Sequence, residues 1–351
     1  MLGFSAMHAR LLRLAVLSGV AGSGPLAACG ARTGLLVPSA VLDGGGEGAD
    51  VVDGGLLSPD APLPPIDATV PVVPNEPNDC VDAGSTLIYL VTSQNTLYSF
   101  YPPAAEFVRI GTIACPTPAP EWQPFSMAVD RAGRAYVLFS DQNAAQEPGQ
   151  LFRVSTANAD CSKLAYVGGQ DGFGTFGMGF VGNADGVTET LYVALNIPSG
   201  SSAAPQLGVL DVTNFQISMV ANISPTNIVN GELTGTGDGR LFAFYAADCT
   251  GTPPAPPVCS SSAIAQLDPL SGRALGNDPL TALPQTAETP SGISGWAFAF
   301  WGNDFYLFTT DPGTAGSIVT RFSPSDGSQV RVATVPELVV GAGVSTCAPQ
   351  Q

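Results

Sequence analysis

Val339-Val340-Gly341-Ala342-Gly343-Val344-Ser345-Thr346, near the C-terminus, reads as a strand of small and β-branched residues that belongs to no unit of its own. Its meaning comes from five other runs. They are Leu87-Ile88-Tyr89-Leu90-Val91, Arg134-Ala135-Tyr136-Val137-Leu138, Thr190-Leu191-Tyr192-Val193-Ala194, Arg240-Leu241-Phe242-Ala243-Phe244 and Asp304-Phe305-Tyr306-Leu307-Phe308. Each places Tyr or Phe at the same point, at successive spacings of 47, 56, 50 and 64 residues. Spacings of that size suit repeated four-stranded units with loops of variable length.

Four of the units carry a strand of small residues ahead of the aromatic one. These are Ser126-Met127-Ala128-Val129, Met178-Gly179-Phe180-Val181, Glu232-Leu233-Thr234-Gly235 and Trp296-Ala297-Phe298-Ala299. The first unit has none, and the C-terminal run is the surplus one. A circular array accounts for both, because its last strand completes its first sheet. The expected fold is therefore all-β, a β-propeller of five four-stranded blades closed by the C-terminal strand. Second and third strands follow in each unit, as in Gln150-Leu151-Phe152-Arg153-Val154 and Gln329-Val330-Arg331-Val332-Ala333. Asp130-Arg131-Ala132-Gly133 and Gly237-Asp238-Gly239 sit between strands and predict hairpin turns, since Gly and Asp tolerate positive φ.

Composition agrees with this and narrows the chemistry. The 351 residues include 41 Gly and 31 Pro, an abundance that favours turns and short strands over helices. The 29 acidic residues outnumber 12 basic ones, a net charge of −17 that argues against nucleic acid as a partner. The only histidine is His8, and Lys163 is the only lysine. A chain processed after residue 28 has no imidazole, which excludes histidine-based triads and histidine-ligated metals. No catalytic residue is assigned.

The N-terminus explains why processing is expected. Arg10 and Arg13 give a basic start, and the run Leu11 to Val20 is largely apolar, as in an export signal. The segment ends in Leu26-Ala27-Ala28-Cys29-Gly30, which resembles the bacterial lipobox. That likeness implies cleavage before Cys29 and its diacylation, with palmitate as the expected acyl group. The alternatives are an ordinary signal peptide cut nearby, or a helix that stays in the membrane, for which Arg13, Gly19, Gly22, Gly24 and Pro25 leave a short apolar span. Removing residues 1–28 removes two arginines, so the net charge becomes 10 − 29 = −19. Such a surface is repelled by anionic lipid, and the acyl chains must hold the protein to the membrane. Gly30 after the cysteine points to the outer membrane.

Between Cys29 and Ile88 there is no Phe, Trp or Tyr, and every aromatic except Phe4 lies from Tyr89 onward. Residues 29–79, rich in Gly, Pro and Asp, are expected to be a disordered tether. They cannot bury enough apolar surface to offset their ordering entropy. The propeller domain is expected over 80–351, as a monomer. Seven cysteines less Cys29 leave six, an even number that suits disulfides in an exported protein. Six allow fifteen pairings. Cys249 and Cys259 flank a proline-rich insertion and would staple it, and Cys80 with Cys347 would lock the ring. Cys115 and Cys161 then remain to join the first two units.

The repeat texture over residues 85–347 resembles secreted bacterial β-propeller lipoproteins with degenerate YVTN-, NHL- or gluconolactonase-type repeats. No Trp-Asp blade ending is present. The likeness to gluconolactonases implies a divalent cation above the axis, held by Glu and Asn side chains. The calcium candidates here are Asn227, Asn230 and Glu232, whose oxygens suit that ion. They come from one unit only, where the resembling enzymes draw ligands from several. By alignment of the units, Ser126, Glu232 and Trp296 take equivalent places near the axis. With Asn230 they form a candidate ligand site at the channel mouth, able to grip a protein or carbohydrate. The expected function is a surface-anchored, non-catalytic binding module without a cofactor. The alternative is a calcium-dependent lactonase or hydrolase acting at the same mouth.

Overall fold

Twenty strands make five sheets of four in the computed structural model, which describes residues 87–141, 148–197, 203–250, 258–280, 295–310 and 314–350. The export signal, the tether and the start of the domain at Cys80 lie outside the described residues. So do the side chains of Cys249 and Cys259.

Blade 1 contains β1 (Ile88–Thr92), β2 (Thr96–Tyr101) and β3 (Glu106–Thr112). Blade 2 is β4 (Trp122–Val129), β5 (Arg134–Asp141), β6 (Gln150–Ser155) and β7 (Cys161–Lys163). Blade 3 is β8 (Phe176–Gly182), β9 (Glu189–Leu195), β10 (Gln206–Leu210) and β11 (Ile217–Asn222). Blade 4 is β12 (Glu232–Gly235), β13 (Leu241–Thr250), β14 (Val258–Leu267) and β15 (Ala274–Leu280). Blade 5 is β16 (Gly295–Trp301), β17 (Asp304–Thr310), β18 (Ser317–Ser323) and β19 (Ser328–Val335). The surplus strand is β20 (Val339–Val344), and it pairs antiparallel with β1, Ile88 facing Val344 and Leu90 facing Ala342. The chain thus closes its first sheet with its last strand, giving the five-bladed propeller expected from the repeat. Helix is confined, among the described residues, to two three-residue 3-10 turns.

Strand alternation explains how the blades stack. Successive side chains point to opposite faces, so each blade gives one face to its predecessor and the other to its successor. Five buried clusters result, one per interface: blades 1 and 2, 2 and 3, 3 and 4, 4 and 5, and 5 and 1. The repeated aromatic is the same contact each time. Tyr89, Tyr136, Tyr192, Phe242 and Tyr306 each enter the interface with the next blade. Across the sheet each faces a small residue of the inner strand: Gly343, Ala128, Gly179, Thr234 and Ala299 respectively.

Near the axis the inner strands meet backbone to backbone. A Cβ on Gly177 would collide with the Gly231 carbonyl, and one on Gly341 would lie 2.8 Å from the Met127 nitrogen. Glycine is required at both positions because no side chain fits between the strands. The Asp130–Gly133 and Gly237–Gly239 turns close hairpins, with Gly133 and Gly239 at φ of 73° and 90°. Cys115, beyond β3, is disulfide-bonded to Cys161 at the start of β7, joining blades 1 and 2. Cys347 is disulfide-bonded too. Cys249 and Cys259 face each other in the β13–β14 register, flanking the insertion.

Candidate functional site

The inner strands run parallel around the axis, so the ring has a leading end, where they begin, and a trailing end, where they finish. Gly177 abuts Glu232 and Gly182 abuts Gly237, in the same order along β8 and β12. At the leading end, Ser126 lies on β4 just past a register irregularity between Pro124 and Ser126. Such irregularities re-aim a side chain locally. Glu232 is the first residue of β12 and pairs with Phe244. The Ser126 hydroxyl donates to Glu232 Oε2 at 2.8 Å. Blade 3 stands between blades 2 and 4, so this bond crosses the axis. Both residues are buried, Ser126 fully and Glu232 with 8% exposure.

Burial pushes the Glu232 carboxyl up to about 8, and the bond from Ser126 opposes that rise. A desolvated carboxyl without a countercharge prefers its neutral form. Its second oxygen takes no hydrogen bond from any described residue.

The other candidates are placed differently. Asn230 sits at a φ of 53°, and its side-chain oxygen accepts the Ile197 amide at 2.6 Å, tying the loop before β12 to blade 3. Asn227 is exposed. Trp296 is half-buried, with its ring against the cluster between blades 4 and 5 that includes Phe244 and Phe298. The structure therefore joins Ser126 to Glu232, bonds Asn230 to the Ile197 amide and packs Trp296 beside Phe244 and Phe298. Among the described residues no group of three or more His, Cys, Asp or Glu is placed to hold a metal ion.

The trailing end holds a second carboxyl, the half-buried Glu189, which the sequence reading passed over. It opens β9, and its oxygens accept the Arg131 amide and the Thr346 hydroxyl, both at 2.8 Å. Thr346 follows β20 of blade 1, so this bond also links non-neighbouring blades. Burial raises Glu189 to about 7, with repulsion from Asp130 adding to the rise; the bonds from the Arg131 amide and Thr346 and the charge of Arg131 oppose it. A signal for it existed. Three residues before the repeated aromatic, blades 2, 4 and 5 carry Gly133, Gly239 and Asn303, all at positive φ. Blade 3 carries Glu189 there, after a longer turn.

The C-terminal residues run over this same end. The Gly302 amide donates to the Pro349 carbonyl at 2.8 Å, and Arg240 donates to Gln350 at 3.4 Å. Gly237 leaves room for the Thr346 carbonyl. Residues 346–350 thereby touch blades 3, 4 and 5, and the leading end is the one not crossed by them.

No family model and no curated protein matches the chain. Solved structures resemble it in fold. A chain of a nidogen/laminin complex is 11% identical, with a TM-score of 0.43, over 73% of this chain and 97% of that one. A glycosyl hydrolase from Bacteroides ovatus is 11% identical, with a TM-score of 0.44, over 69% of this chain and 77% of that one. An exo-β-1,3-galactanase from Phanerochaete chrysosporium is 10% identical, with a TM-score of 0.38, over 60% of this chain; this chain spans 52% of the galactanase.

Proposed function

We propose that the chain is a lipid-anchored, non-catalytic binding module, held at the outer membrane through Cys29 and presenting the leading end of its propeller to a protein or carbohydrate partner. The observation that carries this reading is the use made of Glu232. The carboxyl at the mouth ties blade 2 to blade 4 through Ser126 and stays buried. Acid–base hydrolysis of a glycosidic bond draws on two carboxyls about 5–10 Å apart. A rigid disc with a mouth of fixed shape suits recognition better than turnover.

The anchor has its own test. Cys29→Ser is expected to move the protein from the membrane fraction to the soluble exported fraction, measured by fractionation and immunoblotting. Unchanged membrane association would remove the lipid anchor from the proposal. The released full-length variant then serves as bait for partner capture and for binding to arrayed glycans.

A calcium-dependent lactonase or hydrolase is the second reading, and one observation favours it. Burial pushes the Glu232 carboxyl up to about 8, so it keeps its proton at neutral pH, which suits the general acid of a hydrolase and not a ligand for calcium. Isothermal titration with calcium and lactone hydrolysis, with and without chelator, separate the two readings. Calcium-dependent turnover abolished by Glu232→Gln would replace the binding module with the enzyme.

A further inference from the structure

We propose that Glu337 is an acid-released clasp on the seam of the ring: its carboxylate pins the connector that leads into β20 onto blade 1, and protonation slackens that end of the seam. The clasp belongs to ring closure and holds whatever the leading end binds.

Geometry carries it. The closing connector is residues 336–338, whereas the links between the other blades run over 113–121, 164–175, 223–231 and 281–294. This short link meets the seam where the pairing falters, since the β1–β20 register shifts between Val91 and Thr92 at the leading end. There Thr92 Oγ1 donates to Glu337 Oε2 at 2.5 Å, and the Tyr98 hydroxyl donates to Oε1 at 3.0 Å. Beside them the Ser93 amide donates to the Leu338 carbonyl at 2.9 Å. The direction of the Thr92 bond is fixed by its other partners. This fully buried hydroxyl accepts the Gln94 amide at 3.3 Å and the Thr96 amide at 3.2 Å, which leaves its proton for Glu337. Both carboxylate oxygens are thus acceptors for blade 1. Protonation takes away the charge that strengthens the two bonds.

The surroundings favour the ionised form too. Tyr98 of β2 and Arg109 of β3 are the titratable and charged groups that face Glu337 among the described residues. Tyr101 and Glu106 stand at the other end of β2 and β3, Arg331 pairs with Thr320 in mid-strand, and β20 carries no ionisable side chain. Burial pushes the Glu337 carboxyl up, but the bonds from Thr92, Thr96 and Tyr98 and the charge of Arg109 outweigh it and hold the group below its ordinary 4.5. A carboxyl lowered by folding stabilises the fold above its unfolded value, here about 4.5, and that contribution is lost as pH falls through the folded value. Glu189 and Glu232, raised by burial, run the opposite way. The comparison must therefore be between variants at equal pH.

The experiment uses the full-length protein, wild type against Glu337→Gln, whose neutral amide stands for the protonated carboxyl. At pH 7 the Tm of the variant is expected about 3 °C below that of the wild type, and the gap should close as pH falls to 3. Hydrogen exchange at pH 7 gives a local reading. The Ser93 amide should lose protection about fivefold in Glu337→Gln, while the amides of β9 and β10 in blade 3 stay as protected as before. A Thr92→Ser background keeps the donor and should preserve the pH-dependent gap; a Thr92→Val background removes it and should shrink the gap. Parallel Tm–pH curves for wild type and Glu337→Gln would overturn the proposal, as would a Ser93 amide equally protected in both proteins.

Discussion

At the scale of single residues, the propeller is specified by one contact made five times. An aromatic on the second strand leans into the next blade, opposite a Gly, Ala or Thr of the inner strand that leaves it room. Tyr136 is fully buried beside Phe180, their ring centroids 5.5 Å apart. Tyr136→Ala should therefore cost about 3–5 kcal/mol, read from chemical denaturation, because it leaves a cavity between two sheets that cannot close. A loss below 1 kcal/mol would mean that the interfaces are not packed as the rings indicate. This contact was legible because it repeats. The site was legible only in part. Aligning the units put Ser126 and Glu232 in equivalent places near the axis, and the structure joins them. Alignment reports equivalence, however, and not reach, so nothing in it said that the two would bond across the ring. Nor could it show that the Asn230 side chain is committed to the Ile197 amide. Glu189 escaped because its position is read as a turn in the other blades.

Single elements carry the connections between blades. The short strand β7 holds three residues, one of them Cys161, and offers little pairing of its own. Its disulfide to Cys115 fixes the outer edge of blade 2 to the segment leaving blade 1. The two cysteines are 46 residues apart, and closing a loop of that size in the unfolded chain corresponds to about 4 kcal/mol on the chain-entropy estimate. Cys115→Ser should accordingly lower Tm by about 8–16 °C under non-reducing conditions, with unfolding still a single transition. An unchanged Tm would show that β7 is held by packing alone. The pairing was reached by assigning the other four cysteines first, from their places around the ring and the insertion. Those other two pairings follow the same reasoning. The register that opposes Cys249 to Cys259 agrees with it.

Across the whole molecule, closure is the feature on which the rest depends. A propeller whose first and last blades do not meet leaves a sheet face of each bare, and here β20 joins them by pairing with β1 and packing on blade 5. Val339, Ala342 and Val344 pack towards blade 5, while Val340 packs towards blade 2. The same strand hydrogen-bonds to β1, all five residues of which are buried. Beyond it, Thr346 reaches Glu189 of blade 3, and Pro349 takes the Gly302 amide of blade 5. Deleting residues 338–351 removes all of these together. It bares the backbone edge of β1 and leaves Tyr89 without the Gly343 it packs over. The truncated protein is expected to lose cooperative unfolding or to aggregate. Cys347→Ser removes a disulfide and keeps the strand, so it should unfold in one transition at a lower Tm, a loss of about 2–5 kcal/mol. Melting curves of the two variants beside the wild type, with a disulfide map by mass spectrometry, distinguish strand from cross-link. If the truncation melts as the wild type does, ring closure by β20 is not what holds the blades. If Cys347→Ser is as damaging as the deletion, the cross-link outweighs the pairing. The expected order places the deletion well below Cys347→Ser, because five buried residues of β1 lose their partner in one case and none do in the other.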